Sequence, residues 1–234
     1  MGGQPGSIVS GGGAIWVASR VGATVTRIDP ATGSVTQTIT LPEANLGAIA
    51  FGAGRLWVAD PVAHQLFEID PATGSLERTL PVDLQPSAIA ETGQAIWVAG
   101  YDNATVEQLA PASGRVIARV HVGDGPVALA FDVGSLWVAN HLDATVSRID
   151  LVALAVISTI PVGSGPAALA AGSGSVWVAN QYSRTVSRID PGSDRVAASV
   201  SMTGAATSLT VSGSCVWVGV RRTAAATTAG RPLS

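Results

Sequence analysis

Apolar residues along this chain come in runs of about four to six, and the polar breaks between them recur on a fixed schedule. In one stretch the runs are Val127–Phe131, Leu136–Ala139, Thr145–Ile149 and Ala155–Pro161, rich in Val, Ile, Leu and Thr and broken at Gly, Pro, Asn and Asp. Branched residues between turn formers read as strands. No window sustains apolar positions three and four apart for ten residues, so no helix is predicted. Both faces of the predicted strands are apolar. In Ile15-Trp16-Val17-Ala18, Ile15 and Val17 point one way and Trp16 and Ala18 the other. A sheet with one wet face would alternate apolar with polar, so each sheet is expected to be sandwiched between neighbours.

The pattern repeats. The six tryptophans, Trp16, Trp57, Trp97, Trp137, Trp177 and Trp217, are spaced by 41, 40, 40, 40 and 40 residues, a period that marks a repeat architecture. Residues 135–150 read SLWVANHLDATVSRID and residues 175–190 read SVWVANQYSRTVSRID. The mid-strand position of each tryptophan points to packing between repeats, with a hydrogen-bond partner expected for each buried indole N–H. The turns Asp29-Pro30-Ala31-Thr32-Gly33 and Asp70-Pro71-Ala72-Thr73-Gly74 place turn-forming residues where their conformations are needed. Asp150-Leu151-Val152-Ala153-Leu154 lacks both Pro and Gly, and an irregular turn is expected there.

The fold class that follows is all-β: a β-propeller of about six four-stranded blades with the last blade incomplete. One domain is expected over residues 1–220, with repeats at about 5–45, 46–85, 86–125, 126–165 and 166–205 and a partial one at 206–220. The remainder, 221–234, is low in complexity and is expected to be a disordered tail. A half blade leaves an open strand edge that invites self-association. Aligning Met1 to Pro5 with Val162 to Pro166 puts the initial Met on a repeat Val. On that reading the chain is a fragment of a longer protein.

Composition narrows the function. There is no Lys, formal net charge is −3 and only 12% of residues are charged, so the basic footprint of a nucleic-acid binder is missing. The apolar runs are far short of the ~18 residues of a spanning helix, and the first residues have no signal-peptide pattern. Cys215 is the only cysteine, which excludes an intramolecular disulfide and a thiolate metal cluster. No cofactor is implied.

Candidate chemistry lies in the loops that follow each Trp strand or precede each first strand, where they gather at one face. These loops contain Arg20, Glu43, Asp60, His64, Asp83, Tyr101, Asp102, His121, Asp124, His141, Asp143, Tyr182 and Arg184. Tyr101, His141, Tyr182 and Arg184 are expected to form a contact surface for a protein or small-molecule partner, Tyr offering area with a polar tip and Arg a bidentate donor. His121, Asp124, His141 and Asp143 are the sharpest acid–base constellation, able in principle to ligate a divalent metal or hold a general base.

The pattern Trp137–Asn140, Thr145–Asp150, Thr159–Gly163 and Pro166 resembles the YVTN-family β-propeller repeat over roughly residues 5–220. At the Asn position other units have Ser19, Asp60, Gly100 and Val220, so that Asn has no uniform role. The resemblance implies a module of a larger bacterial protein, extracytoplasmic or regulatory, while the loop residues themselves lead us to expect a non-enzymatic binding role. The alternative it implies is a metal-dependent lyase similar to virginiamycin B lyase. No Glu-x-His pattern or close His pair supports the lyase chemistry, and fold resemblance says little about activity.

Overall fold

In the computed structural model, which describes residues 4–42, 44–92, 94–132 and 134–221, every regular element is a β-strand. The first unit is β1 (Pro5–Gly11), β2 (Ala14–Ser19), β3 (Thr24–Ile28) and β4 (Val35–Thr40). The second is β5 (Ile49–Gly52), β6 (Arg55–Asp60), β7 (Gln65–Ile69) and β8 (Leu76–Pro81). The third is β9 (Pro86–Glu91), β10 (Ile96–Gly100), β11 (Thr105–Leu109) and β12 (Val116–His121). The fourth is β13 (Pro126–Asp132), β14 (Ser135–Asn140), β15 (Thr145–Asp150) and β16 (Ala155–Pro161). The fifth is β17 (Pro166–Gly172), β18 (Ser175–Asn180), β19 (Thr185–Asp190) and β20 (Arg195–Ser201). A last pair, β21 (Ala205–Ser212) and β22 (Cys215–Arg221), completes the described residues.

Each of the first five units is a four-stranded antiparallel meander, and the sixth is two-stranded. The architecture is all-β and propeller-like. Arg221 belongs to β22, paired with Ala205, so it is not part of a tail; 222–234, like Met1, Gly2, Gly3 and Glu43, lie outside the described residues. Among the described residues no helix is long and apolar enough to cross a membrane.

The first strand of each unit is the inner edge of its sheet, and in every unit but the second it begins with an irregularity. The pairing skips Gly6, Ser87, Val127, Ala167 and Thr207, each the second or third residue of its strand. Proline at the start of four of these strands fits this position, because an edge or a bulge does not require its missing N–H. A bulge turns one side chain out of the alternation, and all five skipped residues point to one place, described below.

Units stack through the tryptophans. Trp16 packs with Leu56, Val58, Phe67 and Ile69 of the second unit, Trp57 with Ile96, Val98 and Leu109 of the third. Trp97 meets Leu136, Val138 and Ile149, and Trp137 meets Val176, Val178 and Ile189. Trp16, Trp57, Trp97 and Trp137 are fully buried, whereas Trp177 is half-buried against Ala206, Leu209 and Val218, since the sixth unit has two described strands to cover it. Trp217 is 64% exposed and so departs from the expected packing role: among the described residues there is no further sheet for it to meet. At the other end, Ile8 is 67% exposed on the face of the first unit that corresponds to the buried Leu56 and Val58 face of the second.

The indole N–H groups also differ from expectation. Trp16 donates to the Gly11 carbonyl at 3.1 Å, but the buried Nε1 atoms of Trp57, Trp97, Trp137 and Trp177 have no partner. These rings are held by apolar contact, aided at Trp16 and Trp137 by the guanidinium groups of Arg27 and Arg148 over their faces.

The turn at Asp150 is regular, contrary to the expectation from its missing Pro and Gly. Leu154 N–H donates to the Asp150 carbonyl at 2.9 Å, as Gly33 does to Asp29 at 2.8 Å. Leu154 takes the left-handed conformation (φ 51°) that glycine fills elsewhere. The side chain of Asp150 explains why this is tolerated, because its Oδ1 accepts the N–H groups of Val152 and Ala153 at 2.8 and 2.7 Å. Those bonds hold the Asp150 carboxyl below the ordinary carboxylate range. Asp190, bonded by Ser193 and Gly192, and Asp29, bonded by Ala31, are lowered in the same way. A carboxyl whose folded value is depressed contributes stability at neutral pH that is lost as pH falls through and below about 4. Thermal midpoints measured from pH 7 to 2 should therefore fall less steeply for Asp150→Ala than for the parent, with the variant the less stable at pH 7. Parallel profiles would disprove this role.

Candidate functional site

The skipped residues of the inner strands meet around a central channel of about 800 Å³. Gly6, Ser87, Val127, Ala167 and Thr207 all line it, joined by Leu46, Gly47 and Ala48 in the second unit, where Leu46 occupies the place of the repeat proline. The residue after each repeat proline is thus a lining residue, a signal present in the sequence that the loop-based reading did not use. Arg20, Asn45, Pro61, Gln85 and Tyr101 form the rim at the end where the loops gather.

Two positions per unit build that rim. One follows the second strand, the other precedes the inner strand, and a backbone bond joins them: Arg20 N–H to Gln4 C=O (2.8 Å), Tyr101 to Gln85 (3.0 Å), His141 to Gly125 (2.8 Å) and Gln181 to Gly165 (2.8 Å). Gly6 leaves a bed for the Arg20 side chain, since a Cβ there would come within 2.8 Å of Arg20 Cγ. Gly165 has φ +65°, and a Cβ on it would press on the Tyr182 ring at 2.5 Å.

The carboxylates of this end are occupied in holding loops. Asp60, fully buried, accepts the N–H groups of Val62 and Ala63 on Oδ1, both at 3.0 Å, and that of Asn45 on Oδ2 at 3.3 Å. Asp102 accepts the Gln85 N–H at 3.0 Å and Asp143 the Asp124 N–H at 2.7 Å. At the Asn position, Asn140 and Asn180 donate to Ser147 and Ser187, both at 2.9 Å.

The four residues expected at a contact surface are distributed as follows. Tyr101 lines the channel. His141 and Tyr182, from neighbouring units, meet each other: their rings stand edge to face with centroids 5.1 Å apart, His141 Nε2 lies 3.2 Å from the Tyr182 hydroxyl, and Nδ1 lies 2.9 Å from the Pro166 carbonyl. That carbonyl requires a proton on Nδ1, so in the neutral ring Nε2 accepts from the phenol. Arg184 stands apart, exposed at φ 54°, its carbonyl accepting the Met202 N–H on the outer side of the loop.

The acid–base constellation does not assemble. Asp124 and Asp143 share a backbone bond, but His121 lies on β12, the outermost strand of its unit, 3.4 Å from Thr105 Oγ1, while His141 turns to the next unit. Among the described residues no three His, Cys, Asp or Glu side chains converge as a metal site would require. His64 occupies the same outer loop position as Arg184, at φ 52°.

The family model described as "Repeat of unknown function (DUF6923)" matches residues 2–124. No curated protein matches the sequence. Among solved structures, virginiamycin B lyase from Staphylococcus aureus is similar with a TM-score of 0.81 at 15% identity, over 92% of this chain and 77% of that one. Hydrazine synthase from Kuenenia stuttgartiensis gives a TM-score of 0.83 at 16% identity, over 93% of this chain and 74% of that one. Identities this low establish a shared propeller-like repeat fold and leave chemistry to the site.

Proposed function

We propose a non-enzymatic binding role for this chain, which belongs to the family described as Repeat of unknown function (DUF6923): the loop end, centred on the channel mouth, is the contact surface for a protein or small-molecule partner. One observation carries this reading. The mouth opens on a cavity of about 800 Å³, within the range of small-molecule sites, while the carboxylates and the imidazole around it are committed to structural bonds. Tyr101, His141, Tyr182 and Arg184 supply the surface in this reading. Its finer parts, a YVTN-type repeat working as one module of a larger bacterial extracytoplasmic or regulatory protein, rest on the sequence resemblance alone.

The experiment is a screen of a mixed small-molecule and peptide library by thermal shift, with hits mapped by NMR. Hits that perturb the loops of Tyr101, His141 and Tyr182 support the reading, and hits confined to the opposite turns contradict it. The lyase alternative has its own readout. Turnover of virginiamycin B, lost in His121→Ala and His141→Ala, would overturn the non-enzymatic role; we expect no turnover.

A further inference from the structure

The channel mouth is chemically uneven around its circumference. In the first three units four rim positions that line the channel carry polar side chains: Arg20, Asn45, Gln85 and Tyr101. None of these four side chains makes a hydrogen bond or ion pair with another described residue. In the fourth and fifth units the position before the inner strand is Gly125 or Gly165, His141 is already bonded on both nitrogens, and Gln181 is not among the residues that line the channel. The rim donors that line the channel without a partner therefore lie on the side of the first three units.

Each free tip on the open side can donate: a guanidinium, two carboxamides and a phenol. No Asp or Glu lines the cavity, and the carboxylates of the rim loops, Asp60 and Asp102, point oxygens at backbone N–H groups, including those of Asn45 and Gln85 themselves. These acids orient the rim loops without offering their charge to the channel. What remains is one cation, placed on its glycine bed, among neutral donors. A guanidinium fork matches the paired oxygens of a carboxylate or phosphate.

We propose that the side of the mouth built by the first three units binds a small molecule bearing a carboxylate or phosphate. Arg20 takes the anionic oxygens bidentately, and Asn45, Gln85 and Tyr101 donate to the remaining acceptors. This deepens the binding reading above and rests on it. Because Arg20 is exposed, the interaction is screened by salt and is strongest at low ionic strength.

The test is an NMR titration of the full chain with citrate and, separately, inorganic phosphate, following arginine Nε–H and backbone resonances at low salt. Saturable shifts at Arg20 and at the Asn45, Gln85 and Tyr101 loops are expected. Arg20→Gln should weaken saturation about tenfold or more, the loss of a charged hydrogen-bonded pair. Arg20→Lys should recover part of it, and Arg115→Gln, in a turn at the far end of its unit, should change nothing. Response to citrate alone assigns a carboxylate, and response to phosphate alone a phosphate ester. Saturation that survives Arg20→Gln, or no saturation by either anion, overturns the proposal. If neutral library compounds still map to the mouth, only the anion inference falls; if nothing maps there, the binding reading falls with it.

Discussion

Replacing Trp137 with alanine should destabilise the chain by about 3–5 kcal/mol, whereas the same change at Trp217 should stay within about 0.5 kcal/mol. The two residues occupy one repeat position, sit on equivalent strands and have similar aliphatic neighbours in sequence, Val on both sides of Trp217 and Leu and Val around Trp137. They differ in what lies over the ring. Trp137 is fully buried against Val176, Val178 and Ile189 of the next unit, while Trp217 is 64% exposed. Truncation at Trp137 removes the transfer energy of an indole and leaves a cavity between two sheets that cannot collapse without breaking the stacking. In an array whose units touch only their neighbours, that interface supports both sides of the molecule. Chemical denaturation midpoints of both variants decide the matter. A large loss at Trp217 would show that this ring is covered in solution by something the described residues do not contain.

The same contrast shows what was legible beforehand. Period, strand number per unit and inter-unit packing follow from local chemistry repeated five times: a branched run, a turn, a tryptophan at fixed phase. Each copy reinforces the others, so one irregular copy does not obscure the pattern. Asp150-Leu151-Val152-Ala153-Leu154 shows the limit of reading turns by residue type alone. The aspartate side chain caps two N–H groups and sustains a left-handed leucine, a compensation that depends on three-dimensional placement.

The site was less legible for a related reason. Loop position and side-chain reach point to Tyr101, which lines the channel. Asn45 carries no such signal, because its relevance comes from Asp60, fifteen residues away, which fixes the Asn45 backbone. His121 and His141 stand twenty residues apart, at the end of the third unit and within the fourth, and strand order sends one to the outer edge and the other towards the fifth unit. Strand position, more than separation along the chain, decides which loops meet, and that separates the histidines. The bulge residues after each proline are the opposite case. Their place after the proline is visible in the sequence, but the skipped register is what turns them to the wall.

Arg119→Ala should be the most damaging change among the surface-reaching arginines, and the cost should sit on Glu107. That carboxylate is 1% exposed between units; one oxygen accepts from Arg119 Nε at 2.6 Å and the other has no partner. Phe67 fills the corresponding place in the second unit, and Ser147 and Ser187 in the fourth and fifth. Removing Arg119 leaves a buried charge without its counter-ion, for which losses of about 3–5 kcal/mol are typical. The lower end, about 3 kcal/mol, is expected here, because Arg119 is itself 54% exposed and its removal admits water to one carboxylate oxygen. A compensating pair follows from the repeat. Ser147 faces Thr159 across the strands of the fourth unit as Glu107 faces Arg119 in the third. The double variant Glu107→Ser, Arg119→Thr removes the stranded charge and should return to within about 1 kcal/mol of the parent, the remainder reflecting lost side-chain packing. A double-mutant cycle read by denaturation measures the coupling directly. If the double variant is as unstable as Arg119→Ala, the arginine stabilises the chain through its aliphatic stem or its 3.1 Å contact with Asp83, and the buried carboxylate is not the source of the loss.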